Sequence, residues 1–198
     1  MNKPKYVKIG DKKYPINTDF RIALECNNIA MDESIGDYER SLAIIYKLFG
    51  EEGLECDDQV KLLELGMKYL TFGKVNEKQS NKLNYELDIN KCKGIIISSF
   101  KYDYGYDPYE LEYLHWYDFY NDLENLSTSE FGNCCIFNRI TGVLNTNPSE
   151  IKDSKYRKQV IEAQKELKEK YCKEKKSKIT DKQRESAKEF YKSLGINL

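Results

Sequence analysis

The stretch from Tyr102 to Leu126, YDYGYDPYELEYLHWYDFYNDLENL, sets the tightest limit on how this chain can fold. It holds the only Trp (Trp116), the only His (His115) and seven of the sixteen tyrosines, so the fold must find packing partners for a dense set of large rings. Gly105-Tyr106-Asp107-Pro108 is a turn signal. Beyond it Tyr109, Tyr113, Trp116, Tyr120 and Leu123 step by 4, 3, 4 and 3, which is one face of a helix predicted over 108–126. Leu111, Leu114 and Leu126 widen that face, and Pro108 suits its first turn, where a missing N–H costs nothing. A helix this apolar on most sides is buried among several neighbours.

The rest of the chain agrees with a mainly helical protein. Residues 5–16 carry a hairpin signal around the turn dipeptide Gly10-Asp11. A first helix follows, with Thr18 as N-cap and Phe20, Ala23, Leu24, Asn27 and Met31 at helical spacing. A second is expected over 37–49 (Leu42, Ile45, Tyr46, Phe49), ended by Gly50. A third runs over 57–72, capped by Asp57 or Asp58, with Val60, Leu63, Met67 and Leu70 as its apolar seam. Residues 74–85 read as a polar loop. A helix over 88–103 ends at Gly105, and the aromatic helix comes next. Ser127-Thr128-Ser129-Glu130 is a capping box that opens a helix through Thr141, and 143–150 reads as a linker. From Lys152 to Lys178 Lys and Glu dominate, with Tyr156, Val160, Ala163, Leu167 and Tyr171 as a narrow seam. Thr180-x-x-Gln183 is another capping box, opening a last helix whose apolar side is Ala187, Phe190, Tyr191 and Leu194. The expected architecture is a compact helical core domain over 1–145 with a short N-terminal β-hairpin, and a charged C-terminal helical extension over 146–198.

Composition excludes several function classes. Hydrophobic residues make up 40% and charged residues 33%, too apolar for a disordered chain. The net charge of −1 favours neither nucleic acid nor an anionic membrane. No apolar run approaches the roughly 18 residues of a membrane span, and MNKPKYVKIG has no apolar signal core. Cys26, Cys56, Cys92, Cys134, Cys135 and Cys172 show no dense regular spacing, so free thiols in a reducing cytosol are expected.

No catalytic or metal motif emerges. A single His leaves no His pair for acid–base work, and no Cys–His spacing points to a dyad; His115 reads as a structural residue of the aromatic helix. There is no CxxC, Walker loop, GxGxxG, GxSxG or HExxH. Asp103, Asp107, Glu110 and Glu112 surround Gly105, but tyrosines stand where a calcium loop needs oxygen ligands, and helix capping explains the same carboxylates. The lysines of the C-terminal helix alternate with glutamates, as on a solvated amphipathic helix. Its Tyr156–Leu167 seam either docks on the chain's own core or receives a partner; both readings stand. The expectation is a non-enzymatic protein with no cofactor, no metal, no nucleic acid, no membrane and no small-molecule substrate.

INTDFRIALEC, LAIIYKLFG, SSFKYDYGYDPYELEYLHWYDFYNDLENLS, and FNRITGV before a KYRKQ helix occur in an order that resembles the phage "gene-product fifteen" family of siphophages and prophages. The likeness covers about residues 14–172. The family often has an Arg followed by Thr-Met in the FNRITGV region; here the residues are Arg139-Ile140-Thr141-Gly142. The resemblance implies a protein of the tail-morphogenesis cluster. Its expected role is a tail assembly chaperone in the host cytoplasm, which coats the tape-measure protein until tail tube protein polymerises around it. A structural component of the mature tail is the alternative. Self-association into a homo-oligomer is expected of such a chaperone. The candidate partner-binding residues are Tyr113, Trp116, Tyr117, Tyr120, Arg139, Tyr156, Val160 and Leu167.

Overall fold

A computed structural model describes residues 3–32, 34–73, 87–127 and 135–173, and groups the chain into two compact units. The expected loop over 74–85, the body of the capping box after Ser127, Cys134 and the expected last helix lie outside the described residues.

The first unit opens with strands β1 (Tyr6–Ile9) and β2 (Lys12–Pro15), antiparallel with Val7 opposite Tyr14. Gly10 takes a φ of 58°, the conformation that lets Gly10-Asp11 reverse the chain in two residues. Tyr14 is the buried residue of β2, and the hairpin lies against α4 (Gln59–Leu70). Helix α1 (Phe20–Ala30) packs on α2 (Asp37–Phe49), which also meets the short α3 (Glu51–Leu54) and α4. Phe20, Ala23, Cys26, Ile45, Leu48 and Leu62 fill the centre.

Three details differ from the sequence reading. Asp19, not Thr18, caps α1: its carboxylate accepts the Arg21 N–H (2.9 Å), while the Arg21 guanidinium grips both carboxylate oxygens. Tyr46 is half exposed, and Ile44 and Leu48 take the inner positions of α2. The buried face of α4 is Leu62, Gly66, Tyr69 and Leu70, whereas Val60 is 73% exposed. Gly66 explains the choice of face. A Cβ there would stand 3.0 Å from Leu48 Cδ1 and 3.2 Å from Phe49 Cε2, so its bare backbone permits a close approach to α2.

The second unit contains α5 (Ile89–Tyr104), α6 (Trp116–Glu124), α7 (Ile136–Asn145) and α8 (Ser154–Tyr171). Asp88 caps α5, and Gly105, at φ 76°, closes it in the left-handed conformation, as expected from the sequence. Helix α8 packs on α7 and α5, so it belongs to the same compact unit as they do. The boundary drawn at 145/146 falls at the end of α7, inside this unit. Residues 143–145 are the last turn of α7 and Pro148–Glu150 form a 3-10 turn, so the expected linker is structured. Asp88 N–H donates to Tyr171 O (2.9 Å) and Leu87 bridges Cys172, which ties the start of α5 to the end of α8.

Candidate functional site

The aromatic stretch is not one helix. Pro108 to Leu114 form turns and irregular chain, and α6 begins only at Trp116. Two side chains decide this. Asp107 Oδ1 accepts the Tyr109 N–H (2.9 Å) and closes a turn at Pro108. His115 is extended, and its Nδ1 accepts the Tyr117 N–H (3.0 Å), so it is the N-cap of α6. Burial works against the Asp107 charge, but the Tyr109 N–H and the Lys101 ammonium (3.0 Å) hold its carboxyl below the usual range. Asp107 therefore closes a turn and does not cap the helix expected from 108, while Asp103 accepts both the N–H and the hydroxyl of Ser127, at 2.7 Å each.

The rings behind this turn form a layer. Phe100 and Phe119, both fully buried, stack at 5.4 Å between centroids. Tyr104 and Tyr106 meet the Phe100 ring edge-on, and Trp116 extends the stack from Phe119. The Tyr106 hydroxyl donates to Asp122 Oδ2 (2.6 Å) and the Tyr104 hydroxyl to Asp122 O (2.8 Å), so the ring edges that reach polar surroundings are satisfied. Burial and then the Glu124 hydrogen bond push the Tyr120 hydroxyl up to about 12.

The candidate residues separate into three groups. Trp116, Tyr117 and Val160 are buried and belong to the core. Tyr120 and Leu167 are half-buried. Tyr113, Arg139 and Tyr156 are exposed, Tyr113 at 54% and Tyr156 at 57%, with Ile136 and Ile161 also open on the same unit. The α8 seam docks on its own unit, through Val160, Gln164 and Tyr171.

Helix α7 is held by residues that the sequence reading did not single out for this task. At its N-terminus Cys135 provides no side-chain cap; Ser99 of α5 accepts the Phe137 N–H (3.1 Å) instead. At its C-terminus the buried Gln164 amide of α8 donates to Val143 O (2.9 Å) and Thr146 O (2.7 Å). Gln164 lies four residues after Val160, on the side of α8 that packs inward. A polar residue in an apolar seam is the one local sign of such a role.

Among the described residues, the thiols and His115 are taken up by the fold. All five described cysteines are free and buried. Burial pushes the Cys26 and Cys92 thiols up to about 12, away from the reactive thiolate. Among the described residues no group of three or more His, Cys, Asp or Glu side chains is placed to hold a metal ion. No helix among them is long and apolar enough to cross a membrane.

The first unit carries a separate feature. An open cleft of about 710 Å³ lies between the end of β2, α1 and the α2–α3 junction, lined by Ile16, Ile22, Tyr46 and Phe49 with Glu51 and Glu52 at one side.

No curated protein and no solved structure matches the chain. A protein-family model described as bacteriophage Gp15 protein matches residues 2–172, which span both described units and every motif that carried the resemblance. The chain belongs to the bacteriophage Gp15 protein family.

Proposed function

We propose that this phage protein is a non-enzymatic tail assembly chaperone that covers the tape-measure protein in the host cytoplasm while the tail tube assembles. The observation that carries the reading is the set of aromatic and aliphatic side chains left open on a well-packed unit: Tyr113, Tyr156, Ile161 and Ile136. Long amphipathic helices of a tape measure need such surfaces to stay soluble, and an apolar helix face is recognised by seating its side chains among rings and aliphatic groups. Binding without chemistry also suits a chain whose one His caps a helix and whose described thiols are buried.

Co-expression with the tape-measure protein encoded by the same phage tests this. The expected result is a soluble complex that weakens when Tyr113 and Tyr156 are replaced by Ser. A tape measure that stays insoluble, or that does not co-purify, contradicts the proposal. Mass spectrometry of purified virions separates it from the alternative of a tail structural component. A chaperone is absent from the particle; a component is present in stoichiometric amount.

A further inference from the structure

The chain's net charge of −1 conceals a local excess at the hairpin. Residues 3–13 hold five lysines and one carboxylate, Asp11, and all six are exposed. The pleat sorts the hairpin's side chains. Cross-strand partners share a face, so Val7 and the buried Tyr14 mark the side turned to the unit, and Tyr6, Lys8 and Lys13 the side turned to solvent. Lys8 stands directly opposite Lys13, and like charges in that relation weaken a sheet. The two ammoniums are drawn apart: Lys8 Nζ lies 3.7 Å from Asp11 at the turn, and Lys13 Nζ lies 4.7 Å from the centre of the Tyr6 ring. Lys12 Nζ is 4.9 Å from the centre of the Tyr14 ring. The Asp11 side chain is fully solvated, so it neutralises little of this charge. Among the described residues no carboxylate pairs with Lys5, Lys12 or Lys13. The hairpin is anchored by its inner face, so the cationic outer face costs stability and is not required by the packing.

Ammoniums set along a ribbon suit a linear polyanion, which gains counterion release with each charge neutralised. Tyr6 narrows the class. Its ring is half exposed and stands among the lysines. The carboxylates of an acidic polypeptide gain little from an apolar ring face, whereas a nucleobase stacks on one. Only unpaired bases offer their faces freely, so the ring favours a single strand over a duplex. Cations with an exposed ring between them hold single strands without sequence preference. Each strand of the hairpin is four residues long and spans about 13 Å, so the site is short and its affinity modest.

We propose that the outward face of the β1–β2 hairpin binds single-stranded nucleic acid, with Lys8 and Lys13 on the phosphates, Tyr6 against a base and Lys12 adding its charge at the turn. This departs from the expectation of no nucleic-acid partner, which rested on charge averaged over the whole chain. It goes beyond the chaperone reading and does not rest on it, because binding is measurable with the protein alone.

The test is fluorescence anisotropy of a labelled oligo-thymidylate titrated with the full chain at several salt concentrations. The expected result is saturable binding whose logarithm falls against the logarithm of salt with a slope of about −2, as for three engaged lysines on a single strand. Lys8→Gln with Lys13→Gln weakens binding about ten-fold or more at low salt and flattens the slope, while Lys8→Arg with Lys13→Arg keeps both. Tyr6→Ala weakens binding about five-fold or more and leaves the slope unchanged, because stacking carries no charge. All three positions are exposed, and an unchanged circular dichroism spectrum checks that each variant is folded. No binding up to about 0.1 mM protein at low salt overturns the proposal, and leaves the lysines as charges that only blunt a sheet edge. Binding that survives the double Gln substitution lies elsewhere on the chain and overturns it too. Poly-glutamate that competes as well as the oligonucleotide, with Tyr6→Ala neutral, assigns the face to an acidic polypeptide and overturns it. Tighter binding to a duplex than to oligo-thymidylate overturns the stacking role of Tyr6. Loss of tape-measure binding leaves all of these readouts untouched, so the two proposals fail separately.

Discussion

The two units differ in how one helix is held: α7 of the second borrows its caps, whereas α5, α6 and α8 beside it, like α1 and α4 of the first unit, use local ones. In the first, helix ends are set by residues next to them in sequence. Asp19 caps α1, Asp58 caps α4 and Gly50 ends α2, while the helices meet through aliphatic faces and the bare backbone of Gly66. In the second, α7 is capped at both ends by side chains of other helices, Ser99 from α5 and Gln164 from α8. Its neighbours are tied by further long-range polar contacts, including Ser127 with Asp103 and Tyr106 with Asp122. Local capping leaves a helix able to form before it packs. Borrowed capping makes α7 depend on α5 and α8 being in place, because Ser99 and Gln164 reach its ends only from those helices.

The strongest way to break this comparison is to delete a core ring in each unit. Phe119→Ala and Phe20→Ala remove fully buried rings and are each expected to cost about 3–5 kcal/mol. Trp116 is the only tryptophan and lies in the second unit, so its fluorescence follows that unit in urea. Phe119→Ala lowers the fluorescence midpoint, while Phe20→Ala lowers mainly the helical circular dichroism signal. Equal movement of both signals in both variants would show that the units unfold as one.

A smaller effect sharpens the capping contrast. Gln164→Ala removes the donor to Val143 O and Thr146 O, of which Val143 O keeps the Thr146 N–H at 3.2 Å, and is expected to cost about 1–3 kcal/mol by the fluorescence midpoint. Gln164→Glu costs more, since a carboxylate has no N–H to donate and sets a negative charge against the helix C-terminus. Equal stability of the Glu variant and the wild type would remove the role assigned to Gln164.

Alkaline pH tests the buried thiols. Burial raises Cys26, in the first unit, and Cys92, in the second, from the ordinary 9.0 to about 12. Below 9 both thiols are neutral in folded and unfolded chains, so their stabilising share is fully present. Between 9 and 12 only the unfolded chain ionises, and stability falls by up to about 1.4 kcal/mol per pH unit for each thiol. Thermal melts are therefore expected to hold steady up to near pH 9 and to drop above it. A melting temperature that stays level well past that point contradicts the assignment.

The smallest effects concern single surface or terminal groups. His115→Ala removes the α6 cap and is expected to cost about 0.5–2 kcal/mol, with His115→Asn restoring most of it, since Asn caps well. Val60→Asp is expected to change stability by less than about 0.5 kcal/mol, because the side chain is solvated. A loss of several kcal/mol there would return Val60 to the seam that periodicity assigned to it.

Much of the fold was legible because its causes are local. The hairpin needs Gly10 and an alternating pattern; α2 spans Asp37–Phe49 as its periodicity and Gly50 require; α5 ends at Gly105 for the same reason. The inward face of α4 was not legible, since two apolar stripes adjoin and only contact with Leu48 and Phe49 selects the one containing Gly66. Periodicity also carried the aromatic helix back to Pro108, because Tyr109 and Tyr113 fall in phase with Trp116. Asp107 and His115 instead take up the backbone N–H groups of Tyr109 and Tyr117, and residues between them do not continue the helix. Within the candidate surface, sequence could not rank exposure: Tyr113 and Tyr156 are open, while Trp116, Tyr117 and Val160 are core.

The sequence by itself determined that this protein is mainly helical, opens with a β-hairpin and belongs to a phage family. Caps, turn glycines, hydrophobic periods and motif order act over a few residues and are written in the chain directly. Tertiary structure alone decided where α6 starts, which face of α4 turns inward, which aromatics remain on the surface and who caps α7. These depend on atoms brought together from distant residues: Ser99 meets Phe137, and Gln164 reaches Thr146, only after the helices have packed.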